Sequence, residues 1–308
     1  MSRATQWEIP APRSVHEVHQ EDGSVTVLRR HGNPNGPRLL LGHGSGLAMD
    51  FYYPFWSLLT GGFDVLLYDL RNHGWNAVGE RTGHNLPNLV RDQERVIEDA
   101  ERRYGERATI GVFHSLSALT ALLSPTLGTG ASERLAAWIL FDPPLYLPGP
   151  KDRDFDAHTE AAAARLTRRA ERFQKRDDFA KLLRYLSLLS KAVPGAADLM
   201  ARTTLRESSE GGGYELRCPR NYEAQIASYV RAYTFLVDYE NLRCPTKVIG
   251  SDPTLPFAFM PTYDLSHIDA LNYDFIPEAT HFLQVERPVE CVAIMREFLE
   301  ERGLAQPR

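Results

Sequence analysis

GVFHSLSAL, residues 111–119, sets a serine directly behind a histidine where an apolar run gives way to a segment of helical spacing. Ala108 to Phe113 is a short continuous apolar stretch, the pattern of a strand buried on both faces. Leu116 to Leu127 has the length and composition of a buried helix. Ser115 therefore falls in a tight strand-to-helix turn. Such a turn lifts a side chain above the sheet edge and aims the backbone N–H groups of the helix start at whatever lies beside it.

Working outward, the same alternation recurs. Residues 14–31 predict two strands around the turn Glu21-Asp22-Gly23. Arg38–Leu41, Phe63–Leu70 and Leu135–Phe141 are further apolar runs of strand length, and Leu86 to Tyr104 carries apolar residues at helical spacing. From about Tyr146 to Glu240 the pattern changes to charged helical sequence such as RLTRRAERFQKRDDFAKLLRYLSLL, with Leu182, Leu183, Leu186 and Leu189 expected as one apolar stripe. Gly211-Gly212-Gly213 marks a turn within this stretch. Strand pattern resumes at Cys244–Gly250 and Leu271–Ile276, and a helix over Val289–Glu301 closes the chain. Apolar strands separated by helix-length segments imply an α/β protein with a mostly parallel central sheet and helices on both faces. The predicted division is a core of residues 1–144 and 241–308 with a helical cap inserted at 145–240.

The totals exclude several classes. The chain has 308 residues, which suits one sizeable domain with an insertion. A net charge of −5 argues against a nucleic-acid partner, since phosphate binding needs a basic surface. The arginines of 165–189 are interleaved with Glu171, Asp177 and Asp178, as on a solvated face. Cys218, Cys244 and Cys291 are far apart and form no metal or disulfide pattern, consistent with a reducing, cytoplasmic setting. No membrane span or export signal is read. No phosphate loop, haem motif or metal motif is found, so no cofactor is expected. A homodimer is compatible with the sequence.

Ligands of parallel sheets bind at the carboxyl ends of the strands. There the chain places His43, Gly44, Ser45 and Gly46; then Arg71, Asn72, His73 and Gly74; then His114 and Ser115; Asp142; Asp252; and finally His281. Ser, Asp and His thus occur in that chain order. The order, together with LLLGHGSG, DVLLYDLRNHG, FHSLSA, ILFDPP, VIGSDPTLP and EATHFLQVERPVECVAIMREFL, resembles the α/β-hydrolase superfamily from about Arg38 to Leu299. GYELRCPRNYEAQIA, residues 213–227, is similar to lid segments of a lipase-like branch.

The resemblance implies roles. A serine hydroxyl needs a base in contact, and the base needs an orienting acid. Ser115 is the expected nucleophile and His281 the base. The acid is expected at Asp252, in D-P-x-x-P after a strand-end glycine, with Asp142 as the alternative. Ser45 and Leu116 are the expected oxyanion-hole amides, with Gly46 as an alternative to Ser45. His43, His73 and His114 are read as parts of their turns, and Asp69 and Arg71 as pairing or hydrogen-bonding to hold their loop. The sequence departs from the family's G-x-S-x-G turn, because Phe113 and Ser117 replace the glycines. Phe113 is the bulky departure and must point into space that a neighbouring element leaves open.

The implied reaction is hydrolysis of a carboxylic ester, lactone or thioester with a small hydrophobic acyl or alcohol part, the aromatic run FYYPFW mostly packing the core and the apolar loop TLPFAFMP lining the pocket. Two other functions fit the same residues. One is carbon–carbon bond hydrolysis by the same triad. The other is a hydrolase-fold ligand-binding protein with little turnover.

Overall fold

In the computed structural model, residues 7–145, 152–209, 211–242, 244–255, 265–266 and 268–306 are described. Eight strands form the main sheet: β1 (Ser14–His19), β2 (Val25–Gly32), β3 (Arg38–Gly42), β4 (Asp64–Tyr68), β5 (Thr109–His114), β6 (Ala137–Phe141), β10 (Thr246–Gly250) and β11 (Asn272–Phe275). Between β6 and β10 lie three short strands, β7 (Arg172–Phe173), β8 (Leu205–Glu207) and β9 (Tyr214–Leu216), in a separate small sheet. The helices are α1 (Tyr53–Trp56), α2 (Leu86–Tyr104), α3 (Leu116–Leu127), α4 (Asp152–Arg168), α5 (Arg176–Tyr185), α6 (Ala196–Thr204), α7 (Arg220–Thr234), α8 (Leu283–Glu286) and α9 (Pro288–Glu301).

The spatial order is β1-β2-β4-β3-β5-β6-β10-β11. β2 runs antiparallel to β1 and β4, and the remaining pairs are parallel. The period-2 geometry of a strand sorts the apolar runs into two cores. Leu39, Leu41, Val65, Leu67, Ile110 and Val112 face one layer with α1 and α9. Leu40, Leu66, Phe113, Trp138, Leu140 and Val248 face the other with α2 and α3. Burial on both faces is why these strands read as continuous hydrophobic runs rather than alternating ones.

Two local details fix the frame. Asn85 caps α2 by accepting the Asn88 N–H at 2.9 Å, and Pro87 sits in the first turn, where its missing N–H costs nothing. At the other end of α2, the buried Arg38 of β3 donates to the Tyr104 and Gly105 carbonyls at 2.7 and 2.9 Å while pairing with Asp64. These bonds satisfy carbonyls at the helix C-terminus.

The charged stretch 165–189 is not one continuous helix. α4 ends at Arg168, β7 intervenes, and α5 ends at Tyr185. Ser187 takes a positive φ of 53°, so the helical period stops there. Leu183 is buried and Leu182 and Leu189 pack on the core, but Leu186 is 59% exposed and leaves the expected stripe.

Candidate active site

Ser115 follows β5 directly and caps α3 with φ 51° and ψ −112°, a backbone conformation rare outside glycine. Its N–H donates to Phe141 O at 2.9 Å, which ties the turn to the end of β6. Ser117, one of the two replacements, closes the turn: its hydroxyl donates to His114 O and accepts from His114 N, both at 3.0 Å. Gly42 of β3 leaves the room for this side chain, since a Cβ at 42 would overlap Ser117. Phe113 is fully buried on the α2/α3 side. The open space for it is provided by Gly111, two residues earlier on the same face. A Cβ at Gly111 would overlap the Phe113 ring. The glycine normally expected at 113 has in effect moved to 111.

His281 lies in the loop between β11 and α8. Its Nε2 is 3.0 Å from Ser115 Oγ, and its Nδ1 is 2.6 Å from Asp142 Oδ2. The hydrogen-bond run is consistent with Nδ1–H donating to the carboxylate and Ser115 Oγ–H donating to Nε2. Asp142 sits at the end of β6 with φ 39°, a second left-handed residue in the site. Its Oδ1 accepts from Ser251 N and Ser251 Oγ at 3.0 and 3.1 Å. Burial pushes the Asp142 carboxyl up, but the hydrogen bond and charge of His281 and the Ser251 N–H outweigh it and hold the group below the ordinary range.

Of the two candidate acids, the one in contact with His281 is Asp142. Asp252 does not reach His281. Its carboxylate accepts from Thr254 N, Thr254 Oγ1 and Glu278 N at 2.9, 2.6 and 2.8 Å, and its own N–H donates to Ala279 O. Asp252 thus staples its loop to the one that carries His281. Asp142 has a positive φ, and its carboxylate reaches Ser251 with one oxygen and His281 with the other, making the contact that the D-P-x-x-P pattern assigned to Asp252. The rest of the expected pocket loop, Pro256 to Pro261, lies outside the described residues.

On the loop after β3, Gly46 is already committed, because its N–H donates to His73 Nε2 at 2.9 Å. That leaves Ser45 as the candidate oxyanion amide of this loop, and Ser45 and Leu116 both line the space beside Ser115. His73 gives Nδ1–H to Arg71 O, and His43 accepts Leu70 N–H at 3.0 Å; burial holds both imidazoles below the ordinary range, as neutral acceptors. Asp69 and Arg71 do not pair with each other. Asp69 pairs with Arg29 and accepts from Met49 N and Trp75 N, while Arg71 pairs with Asp92 and Asp22.

The sequence reading missed the links between the catalytic-type loops. Gly44 N–H donates to Tyr52 Oη at 3.2 Å, Tyr52 donates to His114 Nδ1 at 2.7 Å, and His114 Nε2–H donates to His281 O at 2.9 Å. The acceptor carbonyl at one end assigns the His114 tautomer. Glu286 accepts from Thr280 N and Thr280 Oγ1, both at 2.6 Å, and so braces the His281 loop from behind. Tyr52 is hidden in an aromatic run that otherwise packs the core, and no local pattern sets it apart.

Over Ser115 lies a cavity of about 50 Å³. Its walls come from Ser45, Ser115 and Leu116 below and from α4 and α7 above, through Ala162, Leu166, Glu223, Ile226 and Val230. No group of three or more His, Cys, Asp or Glu among the described residues is placed to hold a metal ion. Nor is any described helix long and apolar enough to cross a membrane.

The profile of a family described as "Alpha/beta hydrolase family" matches residues 39–294. No curated protein sequence matches the chain. Among solved structures, E-2-(acetamidomethylene)succinate hydrolase superimposes with a TM-score of 0.72 at 18% identity, covering 93% of this chain and 99% of that one. The thioesterase domain from the curacin biosynthetic pathway gives 0.65 at 16% identity, covering 93% and 100%. A thermophilic esterase from Thermogutta terrifontis gives 0.64 at 17% identity, covering 95% and 100%. At these identities the superpositions speak for the fold.

Proposed function

The chain belongs to the α/β-hydrolase family, and from that premise we propose that it is a serine hydrolase cleaving a carboxylic ester, lactone or thioester through an acyl-enzyme on Ser115. The observation that carries this reading is the hydrogen-bond run from Ser115 Oγ through His281 to Asp142.

Ser115 Oγ attacks the carbonyl carbon as His281 Nε2 takes its proton. Asp142 keeps Nδ1 protonated and stabilises the imidazolium that forms. The N–H groups of Ser45 and Leu116 hold the oxyanion, the latter with the start of α3 behind it. His281 then returns the proton to the departing alcohol or thiol. A water activated by His281 attacks the acyl carbon, and the proton passes back to Ser115 as the acid leaves.

The stretch 145–240 is the proposed cap, since α4 and α7 roof the cavity over Ser115. The small cavity favours a short acyl group. A cytoplasmic location accords with three free, buried cysteines.

The test is labelling with a fluorophosphonate probe and peptide mapping, alongside turnover of short p-nitrophenyl esters. An adduct on Ser115 that is absent in Ser115→Ala and His281→Ala supports the reading. Faster cleavage of a vinylogous diketone than of the ester would move the reaction to carbon–carbon bonds. Full esterase activity in Ser115→Ala would overturn the proposal.

A further inference from the structure

The cavity over Ser115 has an uneven polar inventory. Most of its wall is apolar, from Leu116, Pro144, Leu166, Ile226 and Val230. Beyond Ser115, two polar side chains among the described residues line it, and each has an atom without a partner among those residues. Ser45 Oγ is buried and makes no hydrogen bond. Glu223, 3% exposed, accepts from Arg169 Nη2 on Oε1, while its Oε2 occupies the space that a Cβ at Gly46 would need and has no hydrogen-bond partner among the described residues. A buried hydroxyl without a partner is costly unless something fills the space beside it, and the second carboxylate oxygen of Glu223 is open to the same space.

The cavity also has a direction. It touches Ser115 and both proposed oxyanion residues but not His281. The departing group must lie beside His281 to receive its proton. The cavity is therefore on the acyl side of the scissile bond.

We propose that Glu223 and Ser45 form an acyl-group recognition element, selecting a short acyl chain that carries a hydroxyl: the substrate O–H donates to Glu223 Oε2, and its oxygen accepts from Ser45 Oγ–H. A hydroxyl satisfies both at once, giving one hydrogen bond to the carboxyl and taking one from Ser45. The cavity has room for a few water-sized groups, which fits a chain of a few atoms. Burial also raises the Glu223 carboxyl to about 7, against the pull of Arg169, so near neutrality it keeps hydrogen-bonding capacity without a full buried charge. A site built around a substrate hydroxyl rejects the analogue that lacks it, because its own polar groups are then left open.

The inference rests on the acyl-enzyme reading above, and the test separates the two. The ratio of kcat/KM for p-nitrophenyl 3-hydroxybutyrate to that for p-nitrophenyl butyrate is measured in the wild type, Ser45→Ala, Glu223→Gln and Glu223→Leu. Ser45→Ala keeps the backbone N–H proposed for the oxyanion. The expected wild-type ratio is at least about tenfold. It falls in Ser45→Ala and Glu223→Gln and approaches unity in Glu223→Leu. Because the ratio is internal to each protein, any general damage from breaking the Glu223–Arg169 pair cancels. A wild-type ratio near one, or an unchanged ratio in Glu223→Leu, overturns the proposal. Should Glu223→Leu not fold, Glu223→Gln and Ser45→Ala decide alone. Should the wild type cleave neither ester, the hydrolase reading fails. The hydroxyl preference is then read as NMR-detected binding of 3-hydroxybutyramide against butyramide, and equal binding overturns it.

Discussion

His281 Nδ1 and Asp142 Oδ2 stand 2.6 Å apart, joining the end of β6 to a loop 139 residues further along the chain. An acid in this position fixes the imidazole tautomer; an amide has one accepting oxygen, and with that oxygen held by Ser251 its NH2 would face Nδ1 and favour the wrong tautomer. Asp142→Asn is expected to lower kcat by about 10³–10⁴-fold. Asp252→Asn is expected to keep kcat within about tenfold and to lose roughly 1–2 kcal/mol of stability, since its oxygens serve Thr254 and Glu278 N–H groups. Steady-state kinetics and urea unfolding of the two variants check this. The larger loss of kcat in Asp252→Asn would reinstate that residue as the acid.

Tyr52 joins the loop after β3 to the loop that carries His281, through His114. Tyr52→Phe removes one oxygen and leaves the buried Gly44 N–H and His114 Nδ1 without their partner. The expected cost is roughly 1–3 kcal/mol of stability. Because both loops lose a shared brace, kcat should fall while KM changes little. Melting curves and kinetics of the single variant test it; an unchanged melting temperature would mean that water or a side-chain shift replaces the hydroxyl.

The parts of the molecule legible in the sequence are those where one local pattern has one outcome. α2 and α3 begin and end where apolar spacing predicts, at Leu86–Tyr104 and Leu116–Leu127. The central strands were legible because burial on both faces leaves no polar positions to confuse the pattern. Ser115 and His281 stand out in the sequence by their places after strands, and the fold brings their side chains to 3.0 Å. The partner of His281 is open between two residues in the sequence, because Asp142 and Asp252 both follow strands and only their folded contacts distinguish them. The leucines of 182–189 misled because helical spacing cannot show that Ser187 ends the turn in a left-handed conformation. Glu223 gave no signal at all. In sequence it is one acid in a charged segment, and its burial depends on how α7 lies over Ser45.

Gly111 and Phe113 act as a pair. The Phe113 ring occupies the volume that a side chain at 111 would need. Gly111→Ala is expected to destabilise the protein by about 1–3 kcal/mol through overpacking. Phe113→Gly, which restores the family's usual residue, is expected to cost about 3–5 kcal/mol because it empties a fully buried site. In the double variant Gly111→Ala/Phe113→Gly the new methyl meets no ring, so the two costs should sum to more than the measured total. Chemical denaturation of the three variants gives the coupling energy. Simple additivity would show that the ring and the glycine are not matched to each other.

Glu223 makes stability depend on pH in the direction opposite to that of Asp142. Asp142 has a lowered carboxyl, so its contribution is present above the unfolded-state value and is lost as the solution is acidified through the folded one. Glu223 is raised, from an ordinary 4.5 to about 7, by burial that Arg169 only partly offsets. Below pH 4.5 its proton is bound in both states and costs nothing. As pH rises from 4.5 to 7, the unfolded chain gives up the proton while the folded protein keeps it, so folding weakens by up to about 3 kcal/mol. Glu223→Gln cannot titrate. Its stability relative to the wild type should therefore climb between pH 4.5 and 7 and level off above, whatever the fixed effect of the substitution. Urea unfolding of both proteins at pH 5, 6, 7 and 8 reads this difference directly. A flat difference across the range would mean that Arg169 holds Glu223 ionised throughout. The cavity would then present a full carboxylate to its substrate, and the hydroxyl preference should not weaken as the pH rises above 7.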